Sequence, residues 1–346
     1  MTSVFEPFRH GTMVGLAIVA LAAALTGLFI LWLRPWLLRY ALARPNARSS
    51  HSAPTPQGGG IAVVASWLLV CGAALFTSGA VTATTATGIA AVFAATILIA
   101  VLGAVDDIRP VEVIPRLLFQ MLAVAIVIAT LPADFNMTPF LPWWLERVLL
   151  VIGGVWFVNL VNFMDGLDWM TVAEMAPVTA GLVLLGSLGA LPDHAILCAL
   201  ALLGALIGFA PFNRPVARLF LGDVGSLPIG LIVGWLLALL ADKGHLAAAL
   251  LLPLYYLADA TVTLFRRIWN GERIWQAHRN HFYQRATARG FSIPQVIARV
   301  FAVNVVLVAL AAACVRFNTP VAEATTIAIG LCLVGWLLIS FERGRV

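Results

Sequence analysis

The chain has 346 residues, 62% of them hydrophobic and only 11% charged, with a formal net charge of +5. A soluble globular domain is about half apolar and about a quarter charged, so this chain has too little polar sequence to clothe a soluble core. The positive balance is almost all arginine, the pattern of membrane-protein loops, and does not point to nucleic acid.

Apolar runs of about 17–22 residues, the length that crosses a bilayer core as helix, recur along the chain. They predict an all-α integral membrane protein, a polytopic bundle of about eleven transmembrane helices, ten being the lower count. The expected spans are 12–33, 60–78, 84–104, 115–131, 146–161, 171–189, 195–211, 226–241, 246–265, 296–315 and 321–341. The first is too long for a signal-peptide core and has no small-residue cleavage site before Arg34, so it is expected to be retained. The fifth is short and flanked by Trp143, Trp144 and Trp156, which suit a membrane interface. Cys71, Cys198, Cys314 and Cys332 lie far apart inside apolar runs and are expected to be buried and unpaired.

Charge assigns the sides. With the N-terminus outside, 17 of the 21 Lys and Arg residues fall on the inner face, leaving only Arg9, Arg147, Lys243 and Arg316 outside. This predicts a periplasmic N-terminus and a cytoplasmic C-terminus. The whole chain, 1–346, then reads as one transmembrane catalytic domain with cytoplasmic loops 34–59, 105–114, 162–170, 212–225 and 266–295. The span interiors look almost free of charge, and every segment with catalytic character falls on the inner face.

Five such segments stand out. Asp106 and Asp107 are adjacent carboxylates at the inner end of the third span, able to bind a divalent metal or act as base, or else simply a solvated loop start beside Arg109. Asn159, Asn162 and Asp165 recur every three residues and would share a helix face, with Gly166 and Asp168 following. Phe220-Leu221-Gly222-Asp223-Val224-Gly225-Ser226 presents one carboxylate at a helix start, which is either an anion site or an ordinary cap. His278, Arg279, His281 and Arg285 form a basic cluster suited to diphosphate or to anionic lipid. His51 lies in a Pro-rich stretch leading to Gly58-Gly59-Gly60, where glycines either expose N–H groups to phosphate or permit a flexible linker or a close helix crossing. Carboxylates and arginines together beside lipid suggest a magnesium-assisted reaction of a phosphate ester. No GxxxxGK[ST] sequence is present, which excludes a P-loop NTPase.

In this order, HSAPTPQGGG, GAVDD, NLVNFMDGLD, FLGDVGS and HRNHFYQR resemble the motifs of the polyprenyl-phosphate N-acetylhexosamine-1-phosphate transferases. That group is glycosyltransferase family 4, with WecA-like and MraY-like members. The PTPxGGG and HRxHxYQR forms resemble the WbpL-type branch that initiates O-antigen synthesis. The resemblance implies transfer of a sugar-1-phosphate from a UDP-N-acetyl amino sugar to undecaprenyl phosphate, with release of UMP, in the bacterial inner membrane. It implies Mg2+, with Mn2+ as an alternative, and leaves a homodimer open. By the same resemblance Asp106, Asp107 and Asp223 are catalytic, with Asp223 and Asp107 at the metal. Asn162, Asp165 and Asp168 bind nucleotide, Phe220 stacks on uracil, His278 and His281 belong to the loop that holds the diphosphate, and His51, Arg279 and Arg285 are further substrate-binding residues. Trp169 stands where many relatives carry Gly, and the His loop has two His where some have three. The rival reading is a multi-span transporter of a lipid-linked or anionic substrate, against which the placement of the acids at helix ends argues.

Overall fold

The computed structural model describes residues 6–43, 54–132, 134, 135, 137, 141–273 and 278–345. His51 and Arg48 lie outside these residues. In chain order the elements are α1 (Glu6–Tyr40), β1 (Leu42–Ala43), β2 (Thr55–Pro56), α2 (Gly59–Ser78), α3 (Ala83–Ile108), α4 (Val113–Ala129) and α5 (Trp143–Met164). There follow α6 (Met170–Ser187), α7 (Asp193–Phe209), α8 (Asp223–Asp242), α9 (Leu246–Leu251), α10 (Leu254–Trp269), α11 (Phe282–Ala288), α12 (Ile293–Phe317) and α13 (Pro320–Arg343).

Helices α1, α2, α3, α5, α6, α8, α12 and α13 are long and apolar enough to cross a membrane, while α4 and α7 are apolar but shorter. The protein is thus a polytopic all-α membrane protein, as the hydropathy predicts. The ninth expected span, 246–265, is not one helix. It breaks between Leu251 and Leu254, at Pro253, which lacks an N–H and clashes with the preceding turn. Beyond the break α10 has two faces. Tyr255, Tyr256, Asp259, Thr263 and Arg267 are buried, whereas Phe265, Ile268 and Trp269 are exposed.

Several expected boundaries move. Helix α1 runs through Pro35 to Tyr40, and α5 is a full 22 residues. Asp106 and Asp107 sit in the last turn of α3, which continues to Ile108. The spans are not free of charge either, because Glu174 on α6 and Asp259 on α10 are fully buried. Glu174 is held by the Asn304 amide of α12 and, at 3.3 Å, by the Tyr256 N–H. The four cysteines are unpaired as expected, but they are not all remote or buried. Cys71 and Cys198 touch, with Sγ atoms 3.1 Å apart between α2 and α7, and Cys332 is exposed.

Nearly every residue of α8 is buried, in contact with α2, α3, α5 and α9. Lipid tails are as apolar as leucine side chains, so membrane helices associate through close packing, which small residues permit. A methyl group placed on Gly60 of α2 would overlap the main chain of Gly225, and one on Gly103 of α3 would overlap the main chain of Asp223. A methyl group on Gly230 would come within 2.9 Å of the Val158 Cα on α5, a looser but still crowded crossing. Glycines therefore bring α2, α3 and α5 onto α8 at backbone contact and fix where its first residue, Asp223, sits.

Gly60→Ala is expected to destabilise the protein by about 1–3 kcal/mol through overpacking. Gly153→Ala on the open face of α5, where nothing lies within 4 Å, is tolerated. Thermal melting of the two variants in the same detergent checks the contrast.

Candidate active site

Helix α8 begins after Gly222 (φ 78°, ψ 171°) and has no capping side chain of its own. Buried N–H groups at a helix start need acceptors. They find one on another helix: the Asp107 carboxylate accepts from the Asp223 N–H at 2.8 Å and the Val224 N–H at 3.1 Å. The Gln57 amide also donates to it. A side chain on Gly222 would overlap this carboxylate, so glycine is required there. Asp107 is thus a cap supplied by α3, with both oxygens engaged, and the α8 dipole favours its charge.

Asp223 and Asp106 face each other, close enough for their carboxyl groups to share a hydrogen bond. The Asn162 amide donates to Asp223 Oδ1 at 2.7 Å and to Ser226 Oγ at 3.0 Å. Asp106 accepts from the Val111 N–H at 2.6 Å and pairs with Arg116 of α4 at 3.0 Å. The Arg116 Nε atom is buried with no hydrogen-bond partner among the described residues. Arg116 was not singled out from the sequence, because it reads there as one more inner-face arginine.

Of the face expected on α5, Asn159 and Asn162 line the groove together, whereas Asp165 lies beyond the end of the helix. Asn159 donates to Gln120 of α4 at 2.6 Å, and Asp165 follows Met164 as the C-cap. Thr171 donates to Asp165, yet burial, followed by the charges of Asp107 and Asp168, pushes the Asp165 carboxyl up to about 7. Asp168 is buried and accepts from the Ala217 N–H at 2.9 Å, which ties down the loop after α7. Trp169 occupies the left-handed region (φ 64°), which disfavours any side chain. Its N–H donates to Asn213 Oδ1 at 2.7 Å and its indole to the Ala210 carbonyl at 2.6 Å, contacts that offset the strain.

The glycines of the Gly58-Gly59-Gly60 run do not form a phosphate cradle. The Gly59 and Gly60 N–H groups donate to the Phe220 and Leu221 carbonyls at 2.9 and 2.8 Å. Of the three roles the sequence leaves open, the close helix crossing is the one observed. Phe220 is half-buried, its N–H bonded to the Pro56 carbonyl at 2.9 Å.

In the basic loop, the His278 and His281 rings stack at 4.9 Å and the His281 and Tyr283 rings at 5.7 Å. His281 is buried with Nδ1 on Asp259, 3.1 Å away. Arg279 is exposed. Arg285 turns away from the acids: it joins Arg266 and Arg289 around Glu342 of α13, at 2.7, 3.5 and 3.4 Å. Sequence reasoning placed Arg285 with substrate because it shares a motif with the histidines, and its partner is the fourth residue from the described end of the chain.

A groove of about 1060 Å³ joins these groups to the bilayer side of the bundle. Asn162, Asp223, Arg116, His278, His281 and Gln284 line its polar end. Leu117, Ile152, Trp156 and Leu264 line its apolar end, where Ile152 is 60% exposed on the outer surface. No set of three or more Asp, Glu, His or Cys side chains at metal-ligand spacing is present among the described residues. The Asp106–Asp223 pair still fits magnesium, which takes one or two carboxylates and completes its shell with water and substrate phosphates.

Two outcomes follow from this geometry. Asp107→Ala leaves the α8 N–H groups without an acceptor and is expected to cost about 1–3 kcal/mol in unfolding, more than Asp107→Asn, which keeps one oxygen. The His278 imidazole is pushed down to about 4 from its ordinary 6.5, first by burial and then by His281 and Arg267. The fold therefore favours its neutral form, and that contribution is complete above 6.5 and lost as pH falls towards 4. Between those two pH values the melting temperature of the native protein should drop further than that of His278→Gln.

Residues 89–241, which contain all the acids of the site except Asp259, match the family model described as glycosyl transferase family 4. The chain is similar to a decaprenyl-phosphate N-acetylglucosaminephosphotransferase of Mycolicibacterium smegmatis, at 28% identity over 98% of this chain and 90% of that protein. It is also similar to a probable undecaprenyl-phosphate N-acetylglucosaminyl 1-phosphate transferase of Bacillus subtilis, at 29% identity over 73% and 71%. A phospho-N-acetylmuramoyl-pentapeptide-transferase of Gluconacetobacter diazotrophicus is 32% identical over 49% of this chain and 52% of its own. The family-model match and these relatives together support placing the chain with the polyprenyl-phosphate hexosamine-1-phosphate transferases.

Proposed function

We propose that the protein transfers the sugar-1-phosphate of a UDP-N-acetylated amino sugar to undecaprenyl phosphate, giving undecaprenyl-diphosphate-sugar and UMP. One observation carries this: a single groove runs from a carboxylate–arginine–histidine centre to an apolar wall open to lipid. A substrate with a phosphate head and a long hydrocarbon tail matches both ends. The similarity to polyprenyl-phosphate transferases of two other bacteria supports the same substrates. We extend the proposal to the first step of O-antigen or related surface-polysaccharide synthesis in the bacterial inner membrane. The site face is then cytoplasmic, where nucleotide sugars are made, with the N-terminus periplasmic.

In this mechanism an oxygen of the lipid phosphate attacks the β-phosphorus of the UDP-sugar. The bond from that phosphorus to the oxygen bridging the α-phosphorus breaks, and UMP leaves with the bond electrons. Magnesium, held by Asp223 and Asp106, would neutralise the diphosphate charge when bound. Asn162 keeps Asp223 turned towards the groove. Arg116, with its unsatisfied Nε, and His281, which both line the groove, hold phosphate oxygens. Asp106 is placed to take the proton of a protonated lipid phosphate, its own charge stabilised by Arg116. Asp107, assigned to the metal on resemblance, acts in this scheme by fixing the start of α8, and Asp106 takes its place beside Asp223. On the resemblance, Asp165 and Asp168 would bind the nucleotide and Phe220 would stack on its base.

The test is UMP release by purified protein with undecaprenyl phosphate, Mg2+ and a panel of UDP-N-acetyl amino sugars. Lipid-dependent release with one donor is expected, lowered by about 10²–10³-fold or more in Asp223→Ala at unchanged melting temperature. Release that needs no lipid, or silence across the panel from folded protein, would overturn the proposal.

A further inference from the structure

Asp259 belongs to none of the motifs read from the sequence, yet its carboxylate is heavily engaged. It is fully buried on α10, and its two oxygens meet five protein donors. Oδ1 receives His281 Nδ1 at 3.1 Å, the Phe282 N–H at 3.1 Å and the Thr263 hydroxyl at 3.3 Å. Oδ2 receives the Tyr283 N–H and the Tyr255 hydroxyl, each at 3.2 Å. A carboxylate so occupied has no room for substrate or metal, so whatever it does it does through its partners.

Three of the five donors come from consecutive residues, His281, Phe282 and Tyr283, at the start of α11. Asp259 caps that helix from outside and, in the same contact, sets its Oδ1 3.1 Å from His281 Nδ1. A histidine whose Nδ1–H is committed to a carboxylate presents Nε2 as its only other polar atom. The ring is also packed against its neighbours, stacking with both His278 and Tyr283. Tyr283 is anchored in turn, its hydroxyl donating to the Phe163 carbonyl at 3.0 Å. His281 lines the polar end of the groove, and Asp223 lines that end as well.

We propose that Asp259 is a positioning residue that holds His281 with Nδ1 protonated and Nε2 aimed into the groove, where it meets a phosphoryl oxygen of the lipid phosphate or the sugar diphosphate. The proposal presupposes the transfer reaction stated above. Asp259 itself touches no substrate. Losing its charge should therefore slow turnover and leave the binding of the nucleotide and the lipid tail largely intact.

Two measurements test this, one of which needs no turnover. Nitrogen-15 spectra of protein labelled at its six histidines, with the His281 signals identified by their loss in His281→Gln, report which ring nitrogen carries the proton. The native protein should show His281 protonated at Nδ1, and Asp259→Asn should shift or mix those signals while the other histidines stay in place. A native His281 protonated only at Nε2, or a spectrum unchanged in Asp259→Asn, overturns the proposal even if the protein proves to catalyse a different reaction. In the UMP-release assay, Asp259→Asn should lower kcat by roughly 10- to 100-fold, the loss typical when a working histidine loses its carboxylate partner. KM for the UDP-sugar should change little, Asp259→Glu should recover part of the rate, and adding Asp259→Asn to His281→Gln should cost nothing further. Full additivity of the two substitutions, in protein that melts normally, would mean that Asp259 acts independently of His281. Absence of activity in the native protein would instead count against the transfer reaction and leave the spectroscopic result to decide on the positioning.

Discussion

The contact on which the site depends is the one between the Asp107 carboxylate and the first N–H groups of α8. A helix end buried inside a bundle carries unpaired donors, and in a medium without water each one is costly. Closing that end with a carboxylate from α3 satisfies the donors and joins two helices that are far apart in sequence. It also sets the depth of α8, and with it Asp223 and Ser226. Gln57 adds the loop before α2 to the same carboxylate, and the glycine crossings at Gly60 and Gly103 leave no space for the helices to slide. Asp106, one residue earlier on α3, is then left free of the cap and faces Asp223.

Around that fixed point the protein assembles the site from segments that each supply one kind of group. Helices α3 and α8 bring the carboxylates, α4 brings a guanidinium, α5 brings amides, and the segment before α11 brings imidazoles. Tyr283 connects the last of these to the end of α5, reaching the Phe163 carbonyl in the space that Gly166 leaves open. Buried polar groups of this kind are stable only when their partners are also held. The apolar wall of the groove lies on α4, α5 and α10, and the break at Pro253 lets α10 depart from the direction of a regular span to form its part of that wall.

Most of the fold was legible because the bilayer imposes a length on every apolar run. The ninth span was misread because Pro253 sits within an apolar run whose hydropathy continues on both sides of the break. The acids at helix ends were legible for a similar reason, since carboxylates beside lipid need an explanation. Asp259 and Glu174 were not. A lone acid in a run of apolar residues has no local pattern, and its meaning lies in partners 22 residues away for Asp259 and 130 for Glu174. The same distance explains Arg285, which sits in a phosphate-like motif but answers to a residue on the last helix. The glycines before α2 were ambiguous by nature, because an exposed N–H and a close crossing require the same residue.

Glu342 draws Arg266, Arg285 and Arg289 onto one carboxylate. Three cations gathered at a single anion form a hinge pin whose removal would set the three against one another. Through it the final helix acts as a strut, bracing α10 and α11 from behind while the histidine segment faces the groove. Any extension fused beyond Arg345, whose N–H is already bonded to the Arg289 carbonyl at 3.1 Å, bears on that strut. Helix α13 is thus tied to the elements that carry the histidine segment, although none of its residues lines the groove.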